Sequence, residues 1–236
     1  MRLHYIQHAP YEPPGTITDW ARERGFRMTR TLAVTEEWPS LEEIDWLVVM
    51  GGPMGAYETG VHPWLVGEKR FIREAIDAGK AVLGVCLGGQ LVADALDGEV
   101  EHNAFTEIGW FRVSLTPEMA DSAVFRKLPH SFLTGLWHGD TFSIPPGAIR
   151  MASSEGCANQ AFEYAEGRVV GLQFHPEWRR EDVRELYAHC SRDIEAAGSY
   201  VQSADELLGA LDEVYATNRE LLFALLDDME FARTDA

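Results

Sequence analysis

AVLGVCLGGQLVADAL, residues 81 to 96, is the stretch that decides the fold. Its first five residues are short and apolar enough for a buried strand, which ends at Cys86 in a Gly-rich turn. The remainder reads as a helix beginning near Gly88 or Gly89. Upstream, WLVVM at 46 to 50 is a second buried strand, ending at GGPMG, residues 51 to 55. Between these strands, Trp64, Phe71, Ile72, Ala75 and Ile76 recur at helical spacing among charged residues. The opening LHYIQ reads as a strand and residues 16 to 24 as a helix. Repeated strand, helix and strand signals predict an α/β fold, a mostly parallel or mixed central sheet flanked by helices. Ligands of such sheets meet the carboxyl ends of the strands, where GGPMG and Cys86 both fall.

Beyond residue 100 the pattern loosens. EIGWFRVSL at 107 to 115, and parts of FLTGLWH, QAFEYA and RVVGLQFH, read as closely spaced strands, predicting mixed or antiparallel additions to the sheet. Pro145-Pro146-Gly147 marks a turn. From Arg180 onward helical patterns dominate, and 202 to 229 sets Leu207, Leu208, Leu211, Leu221, Leu222, Leu225 and Leu226 among polar residues. Docking on its own chain is the first reading of that segment; contact with a partner, or with a second copy in a homodimer, is the second.

At 236 residues the chain suits one substantial domain. A net charge of −18 and a pI near 4.7 repel polyanions, so nucleic acid is not expected as a partner. The three cysteines cannot all pair within the chain and form no close metal-binding pair. No apolar run approaches the roughly 20 residues that cross a bilayer, and MRLHYIQHAP lacks a signal segment, so no membrane association and a reducing cytoplasmic setting are expected.

Cys86 carries the strongest chemical signal. Small neighbours let a carbonyl approach its thiol, and the N-terminus of a following helix favours thiolate. An inert core cysteine at a sheet-helix junction would look similar on composition alone. His175 and Glu177 in GLQFHPEW follow an apolar strand and, if extended, face one side two residues apart. The imidazole can then activate the thiol while the carboxylate orients the ring. The backbone N–H groups of Gly52 and Leu87 are candidates for an oxyanion hole, although GGPMG alone also reads as a plain turn. His138-Gly139-Asp140 reads most simply as a surface turn or internal hydrogen bonding, with no companion ligands for a metal. The remaining histidines, His8 and His102 among them, carry no independent signal.

GGPMG, GVCLGGQ and FHPEW, in that order over residues 3 to 180, together with WHGDTFSIPPGA, resemble class I glutamine amidotransferases, particularly the amidotransferase domain of GMP synthases. The resemblance implies Cys86 as nucleophile, His175 as its base and acid, Glu177 as the residue orienting His175, and Gly52 and Leu87 as oxyanion donors. It further implies Gln90 as a substrate contact and Asp140 as a partner for the charged α-amino end. It implies hydrolysis of glutamine to glutamate and ammonia through a glutamyl-thioester, without metal or other cofactor. No region after residue 180 is long enough to resemble the synthetase portion, so either a separate polypeptide, a synthase subunit as the leading expectation, receives the ammonia, or the protein is a free-standing amidase. Two rivals stand beside this: a γ-glutamyl peptidase or hydrolase using the same thiol, and a noncatalytic regulatory or interaction subunit. The expected layout is an amidotransferase-like domain at 1–190 and a helical C-terminal extension at 191–236.

Overall fold

The computed structural model describes residues 1–196 and 198–234. In chain order the elements that position the site begin with β1 (Arg2–Gln7), α1 (Ile17–Glu23), β2 (Arg27–Leu32) and β3 (Trp46–Val49). They continue with α2 (Trp64–Asp77), β4 (Ala81–Val85), α3 (Leu87–Ala95), β5 (Val100–Leu115) and β6 (Ser131–Phe142). The rest are β7 (Ile149–Ser153), β8 (Ala161–Tyr164), β9 (Val169–Leu172), α4 (Arg180–Cys190), β10 (Tyr200–Val201), α5 (Ala204–Leu208) and α6 (Asp212–Thr234).

Among the described residues the strands form one sheet of order β10-β5-β7-β8-β9-β4-β3-β1-β2, with β6 paired to β5. From β2 to β9 every pairing is parallel, whereas β9 to β8, β8 to β7, β7 to β5 and β5 to β6 are antiparallel. The expected mixed sheet is therefore a parallel half that carries the site and an antiparallel half that walls it. Every residue of β3, β4 and β9 is buried, as strands covered on both faces must be.

Two hydrophobic clusters fill the two faces of the sheet. One joins Trp20, Trp46, Leu83 and Val85 to Leu222, Leu225, Leu226 and Met229 of α6. The other packs Leu65, Ile72 and Ile76 of α2 and Leu91 of α3 against Leu47, Val49 and Val82. Of the two readings of the C-terminal segment, docking on its own chain is what the structure contains, although Leu211 stays 66% exposed. Within the helical pattern of 202–229 the structure has two helices separated at 209–211, and β10 adds a short parallel strand to β5 just before them.

The β4-to-α3 junction departs by one turn position from the sequence expectation: the helix starts at Leu87, with Cys86 as its N-cap. That early start is allowed by glycine at 88, where a Cβ would lie 1.9 Å from the Val49 carbonyl oxygen. The helix can therefore sit directly against the end of β3. Pro145, Pro146 and Gly147 do form a turn, closed by a bond from the Ala148 N–H to the Pro145 carbonyl at 3.0 Å.

Candidate active site

Cys86 has φ 53° and ψ −112°, a left-handed backbone rarely adopted by a residue with a side chain. The sharp turn lifts the thiol off the end of β4 and aims it into a cavity of about 550 Å³, the geometry of a nucleophile elbow. Strain of this kind persists only where neighbours enforce it, here the bond from the Cys86 N–H to the Leu172 carbonyl at 2.8 Å.

His175 reaches the same place from β9. The segment lies beyond a strand end, as Pro176 suggests, but its backbone is not extended over 175–177: β9 ends at Leu172, His175 makes an isolated bridge to Gly135, and Pro176 and Glu177 form a turn. Proline, lacking an N–H, cannot continue the ladder. The turn nevertheless brings the carboxylate back onto the ring, with His175 Nδ1 and Glu177 Oε1 at 2.7 Å and both side chains buried. Trp178 stacks on a face of the imidazole, centroids 4.3 Å apart and planes 12° from parallel. With Nδ1 committed to Glu177, Nε2 remains for the sulfur.

Burial pulls the His175 imidazolium down, but the Glu177 charge and interaction with Cys86 outweigh it and raise its pKa to about 10. The proton therefore belongs on the ring when a carboxylate and a thiolate flank it. The thiol also lies 3.6 Å from the Trp137 carbonyl and 3.6 Å from Gln173 Nε2. Burial pushes the thiols of Cys157 and Cys190 upward, so neither shares this environment.

Gly52 and Leu87 line the cavity beside Cys86. Among the described residues neither backbone N–H donates to an acceptor in the chain, as expected at the first position of a helix and in an open turn. A Cβ on residue 52 would come within 2.8 Å of both His8 Cβ and Leu87 Cδ2, so the close approach of the two donors depends on glycine there.

Gln90 lines the cavity too, but its amide is spent inward: Nε2 donates to Gln173 Oε1 at 3.1 Å, and Gln173 in turn meets the sulfur. Asp140 faces the cavity from β6, where its Oδ1 lies 2.6 Å from His102 Nδ1. His138-Gly139-Asp140 is thus strand, not surface turn, and its backbone and His138 ring are internally bonded. Gln173, His102, Tyr57 and the buried pair of His8 and Glu68 were not singled out by sequence. For Glu68 a signal existed, a carboxylate on the apolar stripe of α2 between Leu65 and Ile72. For His102 none did, because its partner lies 38 residues away on another strand. No group of metal-binding side chains occurs among the described residues.

This arrangement, a thiol on an elbow and two free amides lining one cavity, with a buried carboxylate-bound imidazole interacting with the thiol from behind it, is what acyl transfer by a cysteine requires. The comparisons agree in family. The model for class-I glutamine amidotransferases matches residues 17–188. Over 241 residues, 99% of each chain, the protein is 30% identical to the glutamine amidotransferase-like protein YfeJ of Salmonella typhimurium. It is 34% identical to the glutamine-hydrolysing GMP synthase of Caldicellulosiruptor saccharolyticus over 132 residues, 56% of this chain but 24% of that enzyme. The crystal structure of a glutamine amidotransferase from Thermotoga maritima superposes with a TM-score of 0.87 at 31% identity, covering 97% of both chains. One from Methylobacillus flagellatus gives 0.88 at 31% identity, covering 98% of this chain and 94% of that one. On the matched model and on a relative aligned end to end, the chain belongs to the class-I glutamine amidotransferase family.

Proposed function

We propose that the protein hydrolyses the side-chain amide of glutamine through a glutamyl-thioester on Cys86, releasing ammonia for a separate acceptor enzyme. The observation that carries this reading is the buried His175, held by Glu177 on one nitrogen and coupled to Cys86, beside two uncommitted backbone donors. Sulfur attacks the amide carbon, and the oxygen that gains charge is met by the N–H groups of Gly52 and Leu87. His175 gives its proton to the departing nitrogen, so ammonia leaves and the thioester remains. Water then attacks the thioester, losing a proton to His175, and glutamate departs as sulfur regains its pair of electrons. Glu177 keeps the ring in the tautomer and orientation that both steps use. Asp140 holds the α-ammonium of the substrate, and Gln90 acts on the substrate side of the cavity and through Gln173 on the thiol.

A synthase partner is supported by likeness to one quarter of a glutamine-hydrolysing GMP synthase, an enzyme that carries more chain than this one. Residues 1–190 serve as the amidotransferase unit in this reading and 191–236 as its docked extension. A second reading is favoured by the reach of the cavity from the thiol out to Tyr57, His102 and Asp193, which leaves space for a larger amine than ammonia. In that case a γ-glutamyl compound is the substrate and the chemistry is unchanged. Reduced protein given glutamine and a panel of γ-glutamyl peptides, with each released amine quantified, decides between them. Ammonia from glutamine supports the first reading; turnover of peptides with negligible glutamine hydrolysis selects the second; no turnover of either, alone or with a synthase subunit, favours a noncatalytic role.

A further inference from the structure

Beneath the GGPMG turn, away from the cavity, lies a buried charged pair that the acyl-transfer steps leave unused. His8 Nε2 is 2.8 Å from Glu68 Oε1, and neither side chain is exposed to solvent. The other ring nitrogen, Nδ1, is 3.0 Å from the Gly51 carbonyl oxygen. The Gly51 carbonyl can only accept, so Nδ1 carries a proton; with Glu68 as a carboxylate, Nε2 donates as well and the ring is an imidazolium. Burial works against that charge, and Glu68 overcomes it, leaving the pKa of His8 raised. A buried pair of this kind is rarely worth more than apolar packing of the same volume, and Glu68 occupies a core position of α2 with its second oxygen, Oε2, unsatisfied. Stability alone gives no reason for it.

Its placement gives one. Gly51 C=O and Gly52 N–H belong to the same planar trans peptide, so the two bonds point in opposite directions. A hydrogen bond that fixes the oxygen on the protein side fixes the N–H on the cavity side. Between two glycines such a peptide is unusually free to rotate, and it needs an external hold. A cation bonded to the carbonyl also draws electron density from the amide, which makes its N–H a stronger donor. We propose that His8 and Glu68 are positioning residues that lock and polarise the Gly51–Gly52 peptide, so that Gly52 N–H stands ready for the negative oxygen formed during acyl transfer. The inference rests on the reading of Cys86 and Gly52 given above.

Glu68→Gln tests it with little change of shape: the amide can still bond His8 Nε2, but the charge that sustains the imidazolium is gone. His8→Asn is the companion, since its amide nitrogen falls near the Nδ1 position and can hold the Gly51 oxygen without a cation. Both tetrahedral stages generate the oxyanion, so whichever limits turnover, kcat for the best substrate falls about tenfold with KM little changed. Alkylation of Cys86 by iodoacetamide forms no oxyanion, and its rate and pH profile stay those of the parent. Unchanged kcat in both folded variants, a fall in alkylation parallel to kcat, or a change in KM alone overturns the proposal. If Glu68→Gln does not fold, His8→Asn decides by the same criteria; if neither folds, the pair is structural and the proposal fails. Turnover that survives Cys86→Ala shows instead that the underlying reading of the reaction is what failed.

Discussion

Glu177 illustrates how much a single carboxylate controls. Its Oε1 holds His175 Nδ1, while Oε2 is buried without a partner, so the group is organised around one bond. Replacing it by Gln keeps a side chain of the same size but removes the charge that chiefly opposes burial of the imidazolium. The pKa of His175 is expected to fall from about 10, toward and below the ordinary 6.5, as read by NMR titration of the ring. Turnover should drop on the order of 100-fold, because the ring then favours the wrong tautomer or loses its proton too readily. The side chains of the proposed relay were legible in the sequence because Cys86, His175 and Glu177 stand in short motifs whose neighbours explain them. Gln173 and His8 were not, since each is bonded to a residue more than 40 positions away, Cys86 and Gly51 respectively.

Among the elements, β3, β4 and β9 were readable as uninterrupted apolar runs, and α2 as an amphipathic helix. The edge strand β2, RMTRTL, was not, because its mostly exposed polar side chains imitate a loop. The lengths of β5 and β6 were also hidden, as their bulged pairing between His102 and Glu107 breaks alternation where the cavity needs a wall. The junction of β3, β4 and α3 makes its own prediction. Gly88→Ala puts a methyl 1.9 Å from the Val49 carbonyl, a backbone contact that cannot swing aside. A loss of about 3 kcal/mol or more in denaturant unfolding is expected, with Leu87 N–H displaced and turnover lost in whatever fraction folds. On α6, Leu226→Ala should cost about 2–5 kcal/mol, because that side chain is fully buried in the cluster shared with β3 and β4. A loss under 1 kcal/mol would mean that the helix is not seated on the sheet.

At the scale of the molecule, the charge of −18 says little about the site but makes acid stability a sensitive probe of packing. His4 on β1 is buried with Nδ1 on the Thr29 hydroxyl and Nε2 unsatisfied, and burial lowers its pKa from 6.5 to about 4. A depressed folded value gives stability that is present above pH 6.5 and lost as pH falls through 4, since the unfolded chain takes up the proton first. Asp182 acts with opposite sign, its pKa raised by burial to about 6, so the comparison is best made against His4→Val. The difference in unfolding free energy between parent and His4→Val should shift by about 3 kcal/mol against the parent on going from pH 7 to pH 4. A flat difference would show that His4 is solvated.

The proposed chemistry depends on one covalent event at the elbow between β4 and α3. The direct measurement is intact mass and peptide mapping of reduced protein, mixed briefly with glutamine or a γ-glutamyl peptide and quenched in acid. The expected result is a single glutamyl group on the peptide containing Cys86, absent from Cys86→Ala. Substrate turnover at the parental rate by Cys86→Ala, or a glutamyl group carried on Cys157 or Cys190 instead, would contradict the account.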